Sequence, residues 1–331
     1  MDIRNTPLSV LDLAVVKQGA DAAGAISDSV KTAQAAEKAG YRSIWFAEHH
    51  NMQHVASSAT SLLIGHIAGQ TTSIKVGSGG IMLPNHSPLV IAEQFGTLET
   101  LYPGRIELGL GRAPGTDQLT AMALRRTNMN TAFSFPADVQ ELWNYFRNDD
   151  PEVKVRAFPG EGLHIPFYIL GSSTDSAHLA AGLGLPYAFA AHFAPAQLKS
   201  AVKIYLDKFR PSEQLQKPYG IVCMNAFGAD TDNEAYRLST SMFRMFIGMV
   251  TNRRQPLAPP VDSLEPYWTP DIQHAVAQMT ACTFIGDKKS LHDQLADFRD
   301  EVPFDELIIS SYIYDLEAKL HSLKLIREVF A

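Results

Sequence analysis

"SIKVGSGGIMLPNHSPLVIAEQFGTLETLYPGRIELGLG", residues 73–111, contains one complete repeat of the architecture. Its first run, "SIKVGSG" (73–79), has the β-branched content of a short buried strand and breaks on glycines. Ser87 at an N-cap position and Pro88 at the first helical position then open a helix predicted over 88–101. "RIELGLG" (105–111) reads as a second strand. A helix between two strands is the crossover that parallel neighbours require, because a tight turn can join only antiparallel ones.

The same alternation runs outward in both directions. Strand-like runs recur at 7–13, 43–48, 166–170, 187–191, 219–227 and 306–313, which with the two already quoted makes eight. Helical patterns fill the gaps at 27–39, stopped by Gly40, at 58–69, and at 174–182, stopped by Gly182, Gly184 and Pro186. Eight strands in alternation with helices favour a (β/α)8 TIM barrel over a doubly wound sheet, and no repeat or linker divides residues 1–331 into more than one unit. Two gaps are longer than a barrel needs. Residues 112–165 follow strand 4 and hold a further helix near 136–147, and residues 228–305 follow strand 7 and carry the proline-rich "RRQPLAPPVDSLEPYWTP". Excursions from the C-terminal ends of barrel strands build or cover active sites.

Composition narrows the function. The chain is 46% hydrophobic and 19% charged, enough apolar content for a large core, and its formal charge of −7 lacks the cationic footprint that nucleic acid or an anionic membrane surface demands. Small molecules are the expected partners. Cys223 and Cys282 form neither a CxxC pair nor a disulfide framework, no apolar run approaches a membrane span, and a cytoplasmic location is expected.

Residues just after barrel strands converge on one mouth. Here they include Asp12, the trio Glu48, His49 and His50, the glycines of 77–80, "GLGRAPG" (109–115), "GSSTDS" (171–176), "AHF" (191–193) and Asn225. "EHHNMQH" (48–54) can be read three ways: a metal site, a catalytic base, or histidines hydrogen-bonded at a strand end. His50 and His54 have the i, i+4 spacing of two helical ligands, but the segment follows a strand and no second ligand pair appears later, so no metal is expected. "GSSTDSA" opens a helix with hydroxyls and free N–H groups, as phosphate sites do or as ordinary caps do, and Arg112 after strand 4 can reach the same anion. Together they suggest a phosphorylated cofactor. The glycines near 77–80 serve a turn, or let a flat ring approach the backbone; the second is favoured.

These pieces carry a resemblance. "WFAEHHN", "VGSGGIMLPNHSPLVIAEQFGTLETLYPGRIELGLGRAPGTD", "LGSSTDSAHLAAGLGLPYAFAAHF" and "GDKKSLHDQL" are similar to the bacterial luciferase-like monooxygenase family, over nearly the whole chain. The resemblance implies a flavin-dependent barrel enzyme that takes reduced FMN from a separate reductase and uses O2 to oxygenate a small organic substrate. It implies that His49 assists the oxygen chemistry and that His50 lies at a subunit interface, paired with Glu93. It also implies a non-prolyl cis peptide at Gly79 and Gly80 against which the flavin ring lies, with Ser78 beside it, and a phosphate held by Arg112, Ser172, Ser173 and Ser176, with Arg125 or Arg126 adding charge. A homodimer through the helices after strands 2 and 3 is implied as well. Two departures stand out: Gly111 replaces the family's reactive cysteine, and Gly171 a glutamate. Rival readings are a deazaflavin-dependent oxidoreductase, a flavin-binding protein without turnover, and a metal-dependent hydrolase on Glu48, His49, His50 and His54. The absence of a GxGxxG after any strand fits an outside reductase.

Overall fold

A computed structural model describes residues 3–113, 115–124 and 131–331. Its strands are β1 (Leu8–Asp12), β2 (Ser43–Phe46), β3 (Lys75–Ser78), β4 (Ile81–Met82), β5 (Ile106–Gly111), β6 (Phe167–Gly171), β7 (Tyr187–Ala190), β8 (Gly220–Gly228), β9 (Thr283–Gly286) and β10 (Glu306–Ser310). All pair in parallel. The order β10-β1-β2-β3-β5-β6-β7-β8, closed by β8 against β10, makes an eight-stranded barrel, and the eight runs read from the sequence are its eight strands. The two-residue β4 and the short β9 extend β5 and β8 beyond the barrel; neither was expected, since neither has a strand's length or pattern of its own.

The helices are α1 (Ala22–Ala39), α2 (Thr60–Gly69), α3 (Pro88–Leu101), α4 (Gln118–Leu124), α5 (Thr131–Arg147), α6 (Thr174–Leu183), α7 (Leu198–Lys208), α8 (Asp232–Val250), α9 (Pro270–Met279), α10 (Lys288–Glu301) and α11 (Leu316–Val329). α1 ends where Gly40 takes a left-handed conformation (φ 81°) that frees its N–H for the last carbonyls. α3 spans the predicted residues, but Ser87 at its N-cap makes no side-chain cap bond. With Pro88 lacking an N–H, one of the orphan donors that a cap would serve is already absent.

Apolar side chains fill two layers. The larger lies between the barrel and its helices; a smaller cluster that includes Leu11, Trp45, Tyr168, Ala188, Cys223 and Ile308 fills the barrel interior. Below that plug the N-terminal end is closed by polar groups. Arg42 donates to Glu107 at 2.7 Å and to the Tyr168 hydroxyl at 2.9 Å, Trp45 Nε1 donates to Glu107 at 2.7 Å, and the Tyr219 hydroxyl and Ser9 bind Glu306. Ligand access is therefore from the other end.

Both long excursions return to that open end. The first is tied to the loop after β2, where Asn51 Nδ2 meets Asp117 and Thr120 and the Thr116 hydroxyl donates to the His50 carbonyl at 3.1 Å. The second crosses to the loop after β1 through paired backbone bonds between Leu257 and residues Val16 and Gln18. Among the described residues no helix is long and apolar enough to cross a membrane.

Candidate active site

Glu48 organises the loop after β2. Its side chain is 1% exposed, and its carboxylate accepts from His50 Nε2 (2.8 Å), His86 Nε2 (2.9 Å), Asn85 Nδ2 (3.3 Å) and the Met82 N–H (3.1 Å). Burial pushes its pKa up, but the bonds from the two histidines and Met82 outweigh it and bring the group down to about 2. An ionised carboxylate only accepts, so both histidines present Nε2–H to it. The sequence's metal reading grouped Glu48 with His49, His50 and His54. The structure instead gathers Glu48, His50 and His86, whose ligand atoms lie within 4.8 Å of one another and whose two histidines hydrogen-bond the carboxylate. His86 was missed because a residue 38 positions from Glu48 leaves no local spacing signal. Within the chain His50 bonds Glu48, not Glu93.

His49 points the other way. Its Nδ1 lies 3.2 Å from the Gly115 carbonyl, and burial lowers its pKa below the usual imidazole value, with Gly115 and Glu48 opposing. A carbonyl only accepts, so the neutral ring carries its proton on Nδ1 and leaves Nε2 as a free base. His54 is also lowered by burial and by Arg254, which comes from the second excursion. Asp12, a further strand-end candidate, is occupied elsewhere by the Ala14 N–H (2.7 Å) and Lys319 (3.1 Å).

Across β3 and β5 the wall of the mouth has almost no side chains. The Gly79–Gly80 peptide is cis, at the place the resemblance implied. A Cβ on Gly79 would meet Leu11 at 2.8 Å, one on Gly80 the Gly109 carbonyl oxygen at 2.7 Å, and one on Gly111 the Met82 sulfur at 2.7 Å. Gly77 and Gly109 have the same kind of cause, since their Cβ atoms would collide with Glu107 and with the Ser78 carbonyl. The Ser78 hydroxyl is consumed in the same contact: it donates to the Gly109 carbonyl at 2.8 Å and accepts from the Gly109 N–H at 2.9 Å. Only its backbone is left for a ligand.

Next to this wall, Arg112 is 45% exposed and its guanidinium lies 3.6 Å from Asp175 in the first turn of α6. The sequence's pairing of Arg112 with the start of that helix is thus a real juxtaposition. Ser173 caps the helix through the Ser176 N–H, and Gln197 holds the Thr174 N–H at 3.0 Å. Ser172 makes no side-chain hydrogen bond to another described residue. Ser176 is different. Its hydroxyl donates to the Ser173 carbonyl (2.7 Å) and shares a bond with the Tyr187 hydroxyl (2.9 Å), so it braces the turn. It also explains Gly171, whose Cβ would lie 2.1 Å from the Ser176 oxygen. Arg125 and Arg126 lie outside the described residues.

The luciferase-like monooxygenase family matches residues 6–303. The chain belongs to that family. A luciferase-like monooxygenase of Escherichia coli K12 is 48% identical over 329 residues, covering 99% of this chain and 98% of that protein. The crystal structure of apo-MsnO8 superposes with a TM-score of 0.86 at 31% identity, covering 98% of each chain. The oxygenating constituent of 3,6-diketocamphane monooxygenase, solved with FMN, shares the fold at a TM-score of 0.71 and 19% identity, over 98% of this chain and 97% of that one.

Among luciferase-like monooxygenases a flavin is the group to test against these residues. The glycines at 79, 80 and 111 are required by close packing against Leu11, Gly109 and Met82, while a half-exposed guanidinium at a helix start suits a phosphate tail. The donor set fits the phosphate end of FMN.

Proposed function

We propose that this luciferase-like monooxygenase uses FMN, reduced by a separate enzyme, to oxygenate a small organic substrate with O2. The observation that carries the reading is the convergence, on neighbouring strands, of the bare Gly79–Gly80 wall, Arg112 at the start of α6, and the neutral His49. When bound, reduced FMN supplies the electrons that activate O2. The chain's own residues do the rest. Arg112 and the serines opening α6 hold the phosphate, an anion that would take over contacts now made by Asp175 and Gln197. His49 Nε2 accepts a proton at the mouth while its Nδ1–H stays on Gly115, which fixes the ring's orientation. The two excursions exclude water.

FMN binding against riboflavin binding tests the phosphate anchor. Wild-type protein prefers FMN, and Arg112→Ala removes about 1.5–3 kcal/mol of that preference. Equal affinity for the two flavins in the wild type overturns the assignment. His49→Ala keeps fold and FMN affinity and slows oxygen-coupled turnover about 100-fold, measured with an added flavin reductase. Loss of folding instead would make His49 a packing residue.

The same reading includes a homodimer through α2 and α3. Leu62 and Leu101 stand 75% and 62% exposed on these helices, the kind of apolar surface that a partner covers. A Cβ added at Gly65 would lie 3.0 Å from Leu98 of its own chain, so that position packs within the protomer. Leu62→Glu is therefore the cleaner interface variant, with light scattering as its readout.

A further inference from the structure

Two polar atoms in the mouth have no partner. Among the described residues six side-chain nitrogen or oxygen atoms are buried without a hydrogen bond, and two of them, His192 Nδ1 and Asn225 Oδ1, belong to residues that bond each other. Asn225 Nδ2 donates to the His192 carbonyl at 2.6 Å and reaches Thr283 Oγ1 at 3.2 Å. The amide cannot be turned over, because that would set its oxygen against a carbonyl oxygen, so Oδ1 is fixed as the free acceptor. A buried polar atom left unpaired is costly, and two on one bonded pair call for a ligand that completes them.

Their place in the barrel says which ligand group. Asn225 shares the inward face of β8 with Ile221 and Cys223, both in the interior cluster. Counted around the closed barrel, β8 is the seventh strand and stands opposite the third, β3, which leads into Gly79–Gly80; β7, which leads into His192, stands opposite β2 and His49. An eight-stranded barrel has room for about one small ligand between opposite walls. His192 is held neutral, its pKa brought down to about 3 by burial and by His49, so its ring offers one donor and one acceptor nitrogen.

We propose that His192 and Asn225 hydrogen-bond the polar edge of the flavin ring, with Asn225 Oδ1 accepting from the ring N–H and His192 pairing with an adjoining ring carbonyl. This rests on the flavin reading above and gives a role to two strand-end residues that the sequence placed at the mouth without one. Both atoms are shielded from water in the ligand-free chain, so the imidazole turns about its Cβ–Cγ bond, beside the exposed Phe193 ring 4.8 Å away, as the ligand enters.

Lumiflavin, which has the ring without the phosphate tail, and 3-methyl-lumiflavin, which lacks the ring N–H, are the probes, titrated against the full chain by flavin fluorescence. Wild-type protein binds lumiflavin about tenfold more tightly than its 3-methyl form, as expected for one lost hydrogen bond. Asn225→Ala abolishes that difference and weakens lumiflavin and FMN by the same factor, and His192→Phe weakens both; Arg112→Ala weakens FMN alone. Equal wild-type affinity for the two lumiflavins overturns the proposal even if Asn225→Ala fails to fold. So does an Asn225→Ala protein of native melting temperature with unchanged discrimination. FMN binding that persists in either case leaves the phosphate reading standing, whereas a wild type that binds no flavin overturns both.

Discussion

Glu48 shows how one buried carboxylate can fix several elements of a site. Four donors, from the loop after β2, from the end of β4 and from residues between it and α3, meet on it, so the group that orients His50 also sets the position from which His49 turns into the mouth. Because the folded-state pKa is depressed to about 2 from 4.5, the stabilisation is fully present above 4.5 and is lost as pH falls through about 2. Glu48→Gln should cost ~2–3 kcal/mol at neutral pH, the value of charge-assisted bonds to a buried acceptor. Urea unfolding of both proteins across pH checks this: the gap between them closes below 4.5. A gap that is constant with pH would mean that shape, not charge, holds the loop. From the sequence, "EHH" was readable as lying at the barrel mouth and Arg112 as lying beside the start of α6, and the structure has them there. The roles of Ser78 and Ser176 were not legible, because a hydroxyl that braces backbone and one that waits for phosphate have the same spelling. His86, His192 and Asn225 needed the closed barrel to acquire neighbours.

At the scale of elements, α3 joins the sequence argument to the packing argument. Its boundaries were readable because Ser87-Pro88 and the following apolar rhythm are local signals, as were the eight strands. α8, α9 and β9, inside the second excursion, were less so, since their placement depends on contacts with β8 and with one another. Two helical glycines test how far packing overrides propensity. Glycine to alanine in a helix interior gains about 1 kcal/mol in propensity. At Gly65 the new methyl would meet only the flexible end of Leu98 at 3.0 Å, so Gly65→Ala should leave stability within about 0.5 kcal/mol of wild type or raise it. At Gly96 it would lie 2.3 Å from the Gly160 Cα and 2.5 Å from its nitrogen, backbone that cannot swing aside. Overpacking of that kind costs ~1–3 kcal/mol beyond the propensity gain, so Gly96→Ala should lower the melting temperature. Thermal unfolding of the pair decides, and a stabilised Gly96→Ala would show that the α3 contact with the first excursion is loose.

On the scale of the whole molecule, the barrel separates two jobs by end. The C-terminal mouth carries glycines, neutral histidines and a solvent-facing arginine, groups available to a ligand. The N-terminal end spends its charges on itself: Glu107 and Glu306, both 0% exposed, converge on Arg42, with Lys75 a more distant 3.8 Å from Glu107. Two buried carboxylates facing one full counter-charge leave an excess of negative charge, and burial raises the pKa of Glu306 against the pull of Arg42. A carboxyl with a raised folded-state pKa favours the fold at pH below its unfolded value and loses that contribution as pH rises through the folded one. Removing the guanidinium pushes the group further in the same direction. Arg42→Met should therefore destabilise the barrel by ~3–5 kcal/mol at pH 8, the cost of stranding buried charge, and by less at pH 5, where Glu306 takes up a proton more readily. Adding Glu306→Gln to Arg42→Met should recover part of the loss at pH 8 and little at pH 5. Equal losses at both pH values, checked by urea unfolding, would assign the role of Arg42 to packing of its alkyl chain instead of to charge. FMN affinity measured on whatever fraction stays folded should be unchanged, because nothing at this end of the barrel faces the mouth.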